Sequence, residues 1–191
     1  MENRIILITG PKHSGKSLSA RALGEKTGGE VFDLDEIIKK ETGKSPRELF
    51  LEGTMIFKKA EAMALERLLA EMEGNSQPHS NPKIIASGGG LIDNGDAMEL
   101  IYRHEEIVFV YLDISAETAW QRILKTVSVD GELPPFLRTE NPRETHLALH
   151  RRRAEAYKAL GGIIVASENK TPEEIAGEIF NTFKKDNNED F

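Results

Sequence analysis

The sequence predicts an α/β fold in which helices cover both faces of a parallel sheet, and three observations carry that reading. Five short apolar runs, at 5–8, 31–32, 84–86, 107–112 and 163–165, are continuous rather than alternating, the pattern of strands buried on both faces. Segments that suit helices separate them, and alternation of this kind means α/β. The helix starts are marked: Ser45-Pro46-Arg47-Glu48 and Thr171-Pro172-Glu173-Glu174 each join a hydroxyl cap, a proline at the first helical position and a glutamate three residues after the cap. A chain of 191 residues has room for one well-buried core. A single domain is therefore expected over 1–183, with an acidic tail, 184–191, that frays.

Composition excludes several classes of function. With 39% apolar and 30% charged residues the chain is globular, and its net charge of −7 argues against a general nucleic-acid or anionic-membrane partner, since both need a basic face. There is no cysteine, hence no disulfide framework and no thiolate metal site. The run 107–112 is too short to span a bilayer, and the N-terminal run is far shorter than a signal-peptide core. A cytoplasmic monomer acting on a small molecule is expected.

In chain order, the first strand leads into Gly10-Pro11-Lys12-His13-Ser14-Gly15-Lys16-Ser17, and a helical segment begins at Leu18. The pattern G-x-x-x-x-G-K-[ST] between a strand and a helix is a phosphate-binding arrangement. Its glycines let the backbone aim a concave row of N–H groups at phosphate oxygens, and the helix adds the positive end of its dipole. Lys16 would reach the β- and γ-phosphates, and Ser17 would place its hydroxyl on a magnesium ion. Residues 57–72 read as a long helix with Met63, Leu65, Leu68 and Leu69 available for an inward stripe. A polar loop, 74–82, follows. Ser115 can cap a helix carrying Ile123 and Trp120, and Trp120 reads as a packing aromatic. Residues 125–142 lose helical and strand signals and suit a flexible lid. Residues 143–160 are again helical, and Gly161-Gly162 ends them.

Asp33 and Asp35 stand at the carboxyl end of the second expected strand, where ligands bind in open parallel sheets. Two apart on a strand, they would point the same way, toward the phosphate loop. Carboxylates there suit holding magnesium's water shell and accepting a hydroxyl proton, while either could instead cap the next helix. Ser87-Gly88-Gly89-Gly90 follows the third strand, and consecutive glycines suit close backbone approach to a ligand or a plain turn. Arg151-Arg152-Arg153 reads mostly as a solvated face. His146 and His150 could share a metal, but no third ligand stands at useful spacing.

Taken together, these pieces resemble the shikimate kinase family, from the phosphate loop to about Pro172. The matching text is Gly-x4-Gly-Lys-Ser, Asp33-x-Asp35, Gly53-x-x-x-Phe57-Lys58-x-x-Glu61, Gly88-Gly89-Gly90 and Arg153-x-x-x-Tyr157. The resemblance implies a three-layer P-loop kinase fold: a five-stranded parallel sheet flanked by helices, with substrate-binding helices over about 34–62 and a flexible lid. It implies ATP- and Mg2+-dependent transfer of a phosphoryl group to the 3-hydroxyl of shikimate, on the route to aromatic amino acids. By position, Gly10 to Leu18 (Pro11, Lys12, His13, Ser14, Gly15, Lys16 and Ser17 included) would hold the nucleotide, with Arg122 over adenine and Ser17 and Asp33 at the metal. Asp35 would bind substrate hydroxyls and accept the proton. Gly88, Gly89 and Gly90 would grip the ring hydroxyls, and Arg153 the substrate carboxylate.

Three departures stand out. His13 replaces a usual glycine, restricting the backbone there. Lys58 replaces an arginine that clamps the substrate carboxylate, which loses the planar fork and, as one charge-assisted bond, costs on the order of 1.5 kcal/mol or about tenfold in affinity. Pro134 replaces the lid arginine that touches transferring phosphate, and Arg138 is expected to supply the missing charge. Glu61, three residues after Lys58, is expected to orient that lysine by a helical ion pair. A kinase for another hydroxylated acid and a nucleotide-binding regulator without turnover remain open as alternatives. Keeping both Asp33 and Asp35 weighs against the regulator, since a binder needs no proton acceptor.

Overall fold

Strands β1 (Ile5–Thr9), β2 (Glu30–Asp33), β3 (Lys83–Ala86), β4 (Ile107–Asp113) and β5 (Ile163–Ala166) form one parallel sheet in the order β2-β3-β1-β4-β5. The computed structural model describes residues 4–74 and 81–186. Most of the expected 74–82 loop lies outside the described residues. So does the expected tail beyond 186, whereas 184–186 still belong to the last helix. The centre of the sheet is β1, where Ile8 stands level with Ala86 on one side and Val110 on the other. Parallel pairing requires crossovers, and these are the helices.

Alternation along β1 separates two cores. Ile5 and Leu7 pack with residues of α2 (Leu34–Thr42), α4 (Thr54–Gly74) and α5 (Gly95–Tyr102), among them Leu34, Leu65, Leu69 and Ile101. Ile6 and Ile8 pack with Leu23 of α1 (Lys16–Thr27) and with Ile179 and Phe183 of α8 (Pro172–Asp186). The result is three layers, with α1 and α8 on one face and α2, α4 and α5 on the other. A third, smaller cluster joins Trp120 and Ile123 of α6 (Ala116–Asp130) to Leu137, with Val127, Leu133 and Phe136 against it. Trp120 is thus a packing residue.

Local chemistry explains the helix starts. Ser45 and Glu48 form a reciprocal capping box at α3 (Pro46–Glu52), and Thr171 with Glu174 makes the same exchange at α8. Ser115 accepts from the Thr118 N–H and caps α6.

Several expectations need correction. The strands at the sheet's edges are not buried on both faces: Val31 on β2 and Ile164 on β5 are exposed, because each has a neighbour on one side only. Met63 points outward, while Leu65, Leu68 and Leu69 form the inward stripe with Met72, the spacing one helix face demands. The expected lid boundary at residue 125 is also too early. Helix α6 continues to Asp130, where Gly131 closes it in a left-handed conformation, its N–H on the Val127 carbonyl at 2.7 Å. Beyond it, the lid segment holds a 3-10 turn at Pro135–Leu137 before α7 (Pro142–Ala159) begins.

Phe183 ties α8 to the sheet and is 2% exposed. Replacing it with alanine is expected to cost about 3–5 kcal/mol, read in urea unfolding as a lower midpoint with an unchanged slope. A loss under about 1 kcal/mol would mean that α8 repacks freely over β1 and β4.

Candidate active site

The carboxyl end of β1 sets the site. Gly10 has φ +145°, and a Cβ there would stand 2.8 Å from the Leu112 carbonyl oxygen, so no other residue fits without moving β4. The chain then curves through Ser14, whose N–H donates to the Pro11 carbonyl at 3.2 Å, into α1. The first N–H groups of α1 have no intrahelical acceptor and face the loop. His13 adopts φ 62°, the left-handed conformation a glycine would take at no cost. Helix α6 holds it there: Arg122 Nη1 donates to the His13 carbonyl at 2.8 Å, and Thr126 Oγ1 lies 3.3 Å from His13 Nε2.

Lys16 and Ser17 begin α1 and so sit at the loop's exit. Lys16 Nζ donates to the Pro11 carbonyl at 2.8 Å, and burial pulls its pKa down to about 8 against the raising effect of Asp35. Ser17 Oγ donates to Asp33 Oδ2 at 2.6 Å. Asp33 also caps α2, one of the readings that the sequence left open, for its Oδ1 accepts from the Asp35 N–H at 3.1 Å. Asp35 therefore lies in the first turn of a helix, not on the strand as expected. The residue opens to solvent through the cavity mouth, yet its carboxyl is set among protein atoms. That desolvation first, and the charge of Asp33 second, raise its pKa above the ordinary carboxylate value.

Opposite the loop, the glycines after β3 come close to it. A Cβ on Gly89 would stand 3.0 Å from the Gly10 carbonyl oxygen, so the two glycine segments form one continuous wall. A cavity of about 410 Å³ opens against this wall. Its walls include Lys12, His13, Gly15, Lys16, Ser17, Leu18, Asp33, Asp35, Gly88, Gly89, Gly90 and Arg153. Arg153 reaches it from α7 with Nε 2.8 Å from Asp93 Oδ2 and its guanidinium 5.7 Å from the Phe136 ring centroid.

Six expected site residues do not line this cavity: Gly10, Pro11 and Ser14 of the loop itself, and Lys58, Arg122 and Arg138. Lys58 Nζ donates to the Asp93 backbone carbonyl. Arg122 binds the phosphate loop from behind, as described. Arg138 lies with its guanidinium on Glu132 and donates through Nε to the Leu133 carbonyl. Nor does Glu61 pair with Lys58. Its Oε2 accepts from Asn94 at 2.9 Å, while Oε1 is buried without a hydrogen-bond partner, 3.2 Å from where a Cβ on Gly88 would stand.

The structure also brings in residues that the sequence did not assign to the cavity or its supports. Arg47, Phe50, Pro135 and Phe136 line the cavity. Asp93 gathers Lys58 on its carbonyl and Arg152 and Arg153 on its two carboxylate oxygens, at 2.7 and 2.8 Å. Burial opposes its ionisation, but Arg153 and Arg152 together hold its pKa below the usual range. Tyr157 stacks on Tyr111 at 5.3 Å and accepts from the Ile92 N–H, fixing the turn that follows Gly90. His146 donates through Nε2 to the Ala116 carbonyl, 2.9 Å away, and packs against Trp120.

Glu61 is 1% exposed, and burial, with the Asp35 charge adding to it, pushes its pKa up to about 7 against the Asn94 hydrogen bond. The folded state then holds more protons than the unfolded state between the ordinary value of 4.5 and about 7, so stability falls as pH rises through that window. The loss reaches on the order of 3 kcal/mol at about 1.36 kcal/mol per pH unit. Glu61→Gln is expected to remove that part of the decline in denaturant titrations at about pH 5 and pH 7.5. Parallel declines in both proteins would show Glu61 to be ionised throughout.

A family described as shikimate kinase matches residues 12–184. The shikimate kinase of Thermobifida fusca is 31% identical over 173 residues, covering 90% of each chain. That of Persephonella marina is 31% identical over 177 residues, covering 92% of this chain and 96% of its own. Among solved structures, the shikimate kinase of Acinetobacter baumannii in complex with shikimate shares the fold at a TM-score of 0.79 and 24% identity, covering 96% of this chain and 94% of its own. The shikimate kinase of Aquifex aeolicus superposes at 0.69 with 26% identity, covering 95% and 97%. The family match spans nearly the whole described chain, from Lys12 of the phosphate loop through the paired aspartates and the glycines after β3, and the chain belongs to the shikimate kinase family.

Proposed function

We propose that the protein transfers the γ-phosphoryl group of ATP to the 3-hydroxyl of shikimate. The observation that carries this reading is the joining in one cavity of a phosphate loop with Lys16, the Ser17–Asp33 pair, the carboxyl of Asp35 and the guanidinium of Arg153. The donor set fits the groups that the reaction needs. Backbone N–H groups and a buried lysine suit polyphosphate. The Ser17 hydroxyl and Asp33 carboxylate are hard oxygen donors of the kind that hold magnesium while it keeps most of its waters. When bound, magnesium supplies positive charge to the phosphate oxygens.

Within that arrangement Lys16 exchanges the Pro11 carbonyl for phosphate oxygens, which relieves the cost of its buried charge. Arg153, kept oriented by Asp93, takes the acceptor's carboxylate, and its planar fork suits a two-bond grip. Asp35 receives the proton of the acceptor hydroxyl as the hydroxyl oxygen bonds to the γ-phosphorus and the bond from that phosphorus to the β–γ bridging oxygen breaks, releasing ADP. Its raised pKa brings it nearer to a proton acceptor's useful range. The work is positioning and charge neutralisation.

No described helix is long and apolar enough to cross a membrane. We take the enzyme to act as a cytoplasmic monomer on the route to aromatic amino acids. A second reading, another hydroxylated acid as acceptor, is favoured by the position of Lys58 on Asp93, outside the cavity wall.

A coupled ADP-release assay with Mg2+ and millimolar ATP is expected to show a shikimate-dependent rate above about 1 per second. ADP release that shikimate does not raise, but another hydroxy acid does, would transfer the assignment to that acid. Asp35→Asn is expected to lower kcat by about a hundredfold or more with ATP affinity little changed. Near-normal turnover in that variant would remove Asp35 from the mechanism.

A further inference from the structure

Arg47 is a cavity cation that neither the phosphate loop nor the acceptor-binding arginine explains. It stands on α3, one residue into the helix, and reaches the lid: Nη2 donates to Glu132 Oε2 and, at 3.3 Å, to the Leu133 carbonyl. Arg138 donates to the same Glu132 Oε2 from within the lid. One carboxylate thus faces two guanidiniums, and the trio carries one uncompensated positive charge. Of the two arginines, Arg47 lines the cavity and Arg138 does not. Leu133, the carbonyl partner of Arg47, is followed directly by Pro134, Pro135 and Phe136, which line the same cavity. Phe136 also faces Pro11 and Lys12 in a small adjoining cavity, so this stretch of lid runs from Arg47 to the phosphate loop.

We propose that Arg47, reaching in from α3, supplies the cation that neutralises the phosphoryl group in transfer, and that Arg138 acts as a positioning residue by occupying Glu132. The inference rests on the phosphoryl-transfer reading above and names a residue for it. The Arg47–Glu132 pair is solvent-exposed, with side-chain accessibilities of 39% and 61%, and exposed ion pairs are weakly held. Exchange of Glu132 for phosphate oxygens is then inexpensive, and a guanidinium offers two parallel N–H groups to that ligand. While Arg138 stays on Glu132, the charge of Arg47 remains available. Without Arg138, Glu132 neutralises Arg47 by itself.

The test is steady-state and single-turnover kinetics of ADP release with shikimate, together with ATP affinity by calorimetry. Five proteins are compared: wild type, Arg47→Ala, Arg47→Lys, Arg138→Ala, and Arg138→Ala combined with Glu132→Gln. Arg47→Ala is expected to lose about a hundredfold in kcat with ATP affinity within about threefold of wild type, and Arg47→Lys to recover part of the loss. Arg138→Ala is expected to lose about tenfold, and Glu132→Gln in that background to restore most of it, because Arg47 is freed again. A loss within about threefold in Arg47→Ala overturns the proposal, as does a rise in the KM for shikimate at unchanged kcat, which would place Arg47 on the acceptor's carboxylate. An Arg138→Ala loss that Glu132→Gln does not relieve makes Arg138 the direct cation and overturns it too. A wild-type protein with no shikimate-dependent rate sinks the functional reading itself, and this inference with it, an outcome visible before any variant is measured.

Discussion

The site depends on a steric constraint at one backbone position. Strand β1 is held between β3 and β4, with Ile6, Leu7 and Ile8 fully buried. The chain must therefore leave the sheet at Thr9 along a fixed line, beside the Leu112 carbonyl. Only a residue without a Cβ passes there at φ +145°. That exit directs the loop over the carboxyl ends of the strands, places Lys16 and Ser17 at the start of α1, and brings Ser17 within 2.6 Å of Asp33 on the neighbouring side. The glycines after β3 answer the same constraint, because Gly89 lies against the Gly10 carbonyl. Strand order puts β3 next to β1, so residues nearly eighty positions apart become two halves of one wall.

The charges of the site are held against their ordinary preferences. Lys16 and Glu61 are each desolvated, one pulled down to about 8 and the other pushed up to about 7. Each charge is therefore costly in the free protein. Lys16 shows the logic: with a carbonyl as its hydrogen-bond partner and the charge of Asp35 as partial support, its burial is costly, and a polyphosphate would remove that cost. Asp93 works the other way. It draws Lys58, Arg152 and Arg153 to one point and fixes Arg153 at the cavity edge. The lysine that the family resemblance would put on the acceptor is thereby committed to the frame behind it.

Much of this was legible in the sequence, and what was not has a common cause. The strands, the capping boxes at Ser45 and Thr171, and the phosphate loop depend on residues within a few positions of one another, and local chemistry determines them. Val31 and Ile164 look as apolar as central strand residues, and only the strand order reveals that they lie at edges. Met63 sits within an apolar stretch of α4, and the helix face that turns inward is decided by α2 and α5 packing against it. Arg47 has no local signal at all. In sequence it is one more charge after a helix cap, and Glu132, the residue that gives it meaning, lies 85 positions away. Lys58 has the same difficulty in reverse, since its motif position suggests the cavity while the Asp93 carbonyl, 35 residues on, takes its ammonium.

Helix α6 joins these parts mechanically. His13 in a left-handed conformation costs roughly 1–2 kcal/mol relative to glycine, and a charge-assisted hydrogen bond such as that from Arg122 contributes about as much. The phosphate loop therefore keeps its shape at His13 by leaning on α6. The same helix carries Trp120 and Ile123, which pack on Leu137 of the lid segment. A displacement of α6 would disturb loop and lid together, and a glycine at position 13 would release the loop from that dependence. Replacing the glycine by histidine thus has a structural consequence beyond restricted backbone freedom: it makes the geometry of the nucleotide-facing loop a property of the helix that bears the lid.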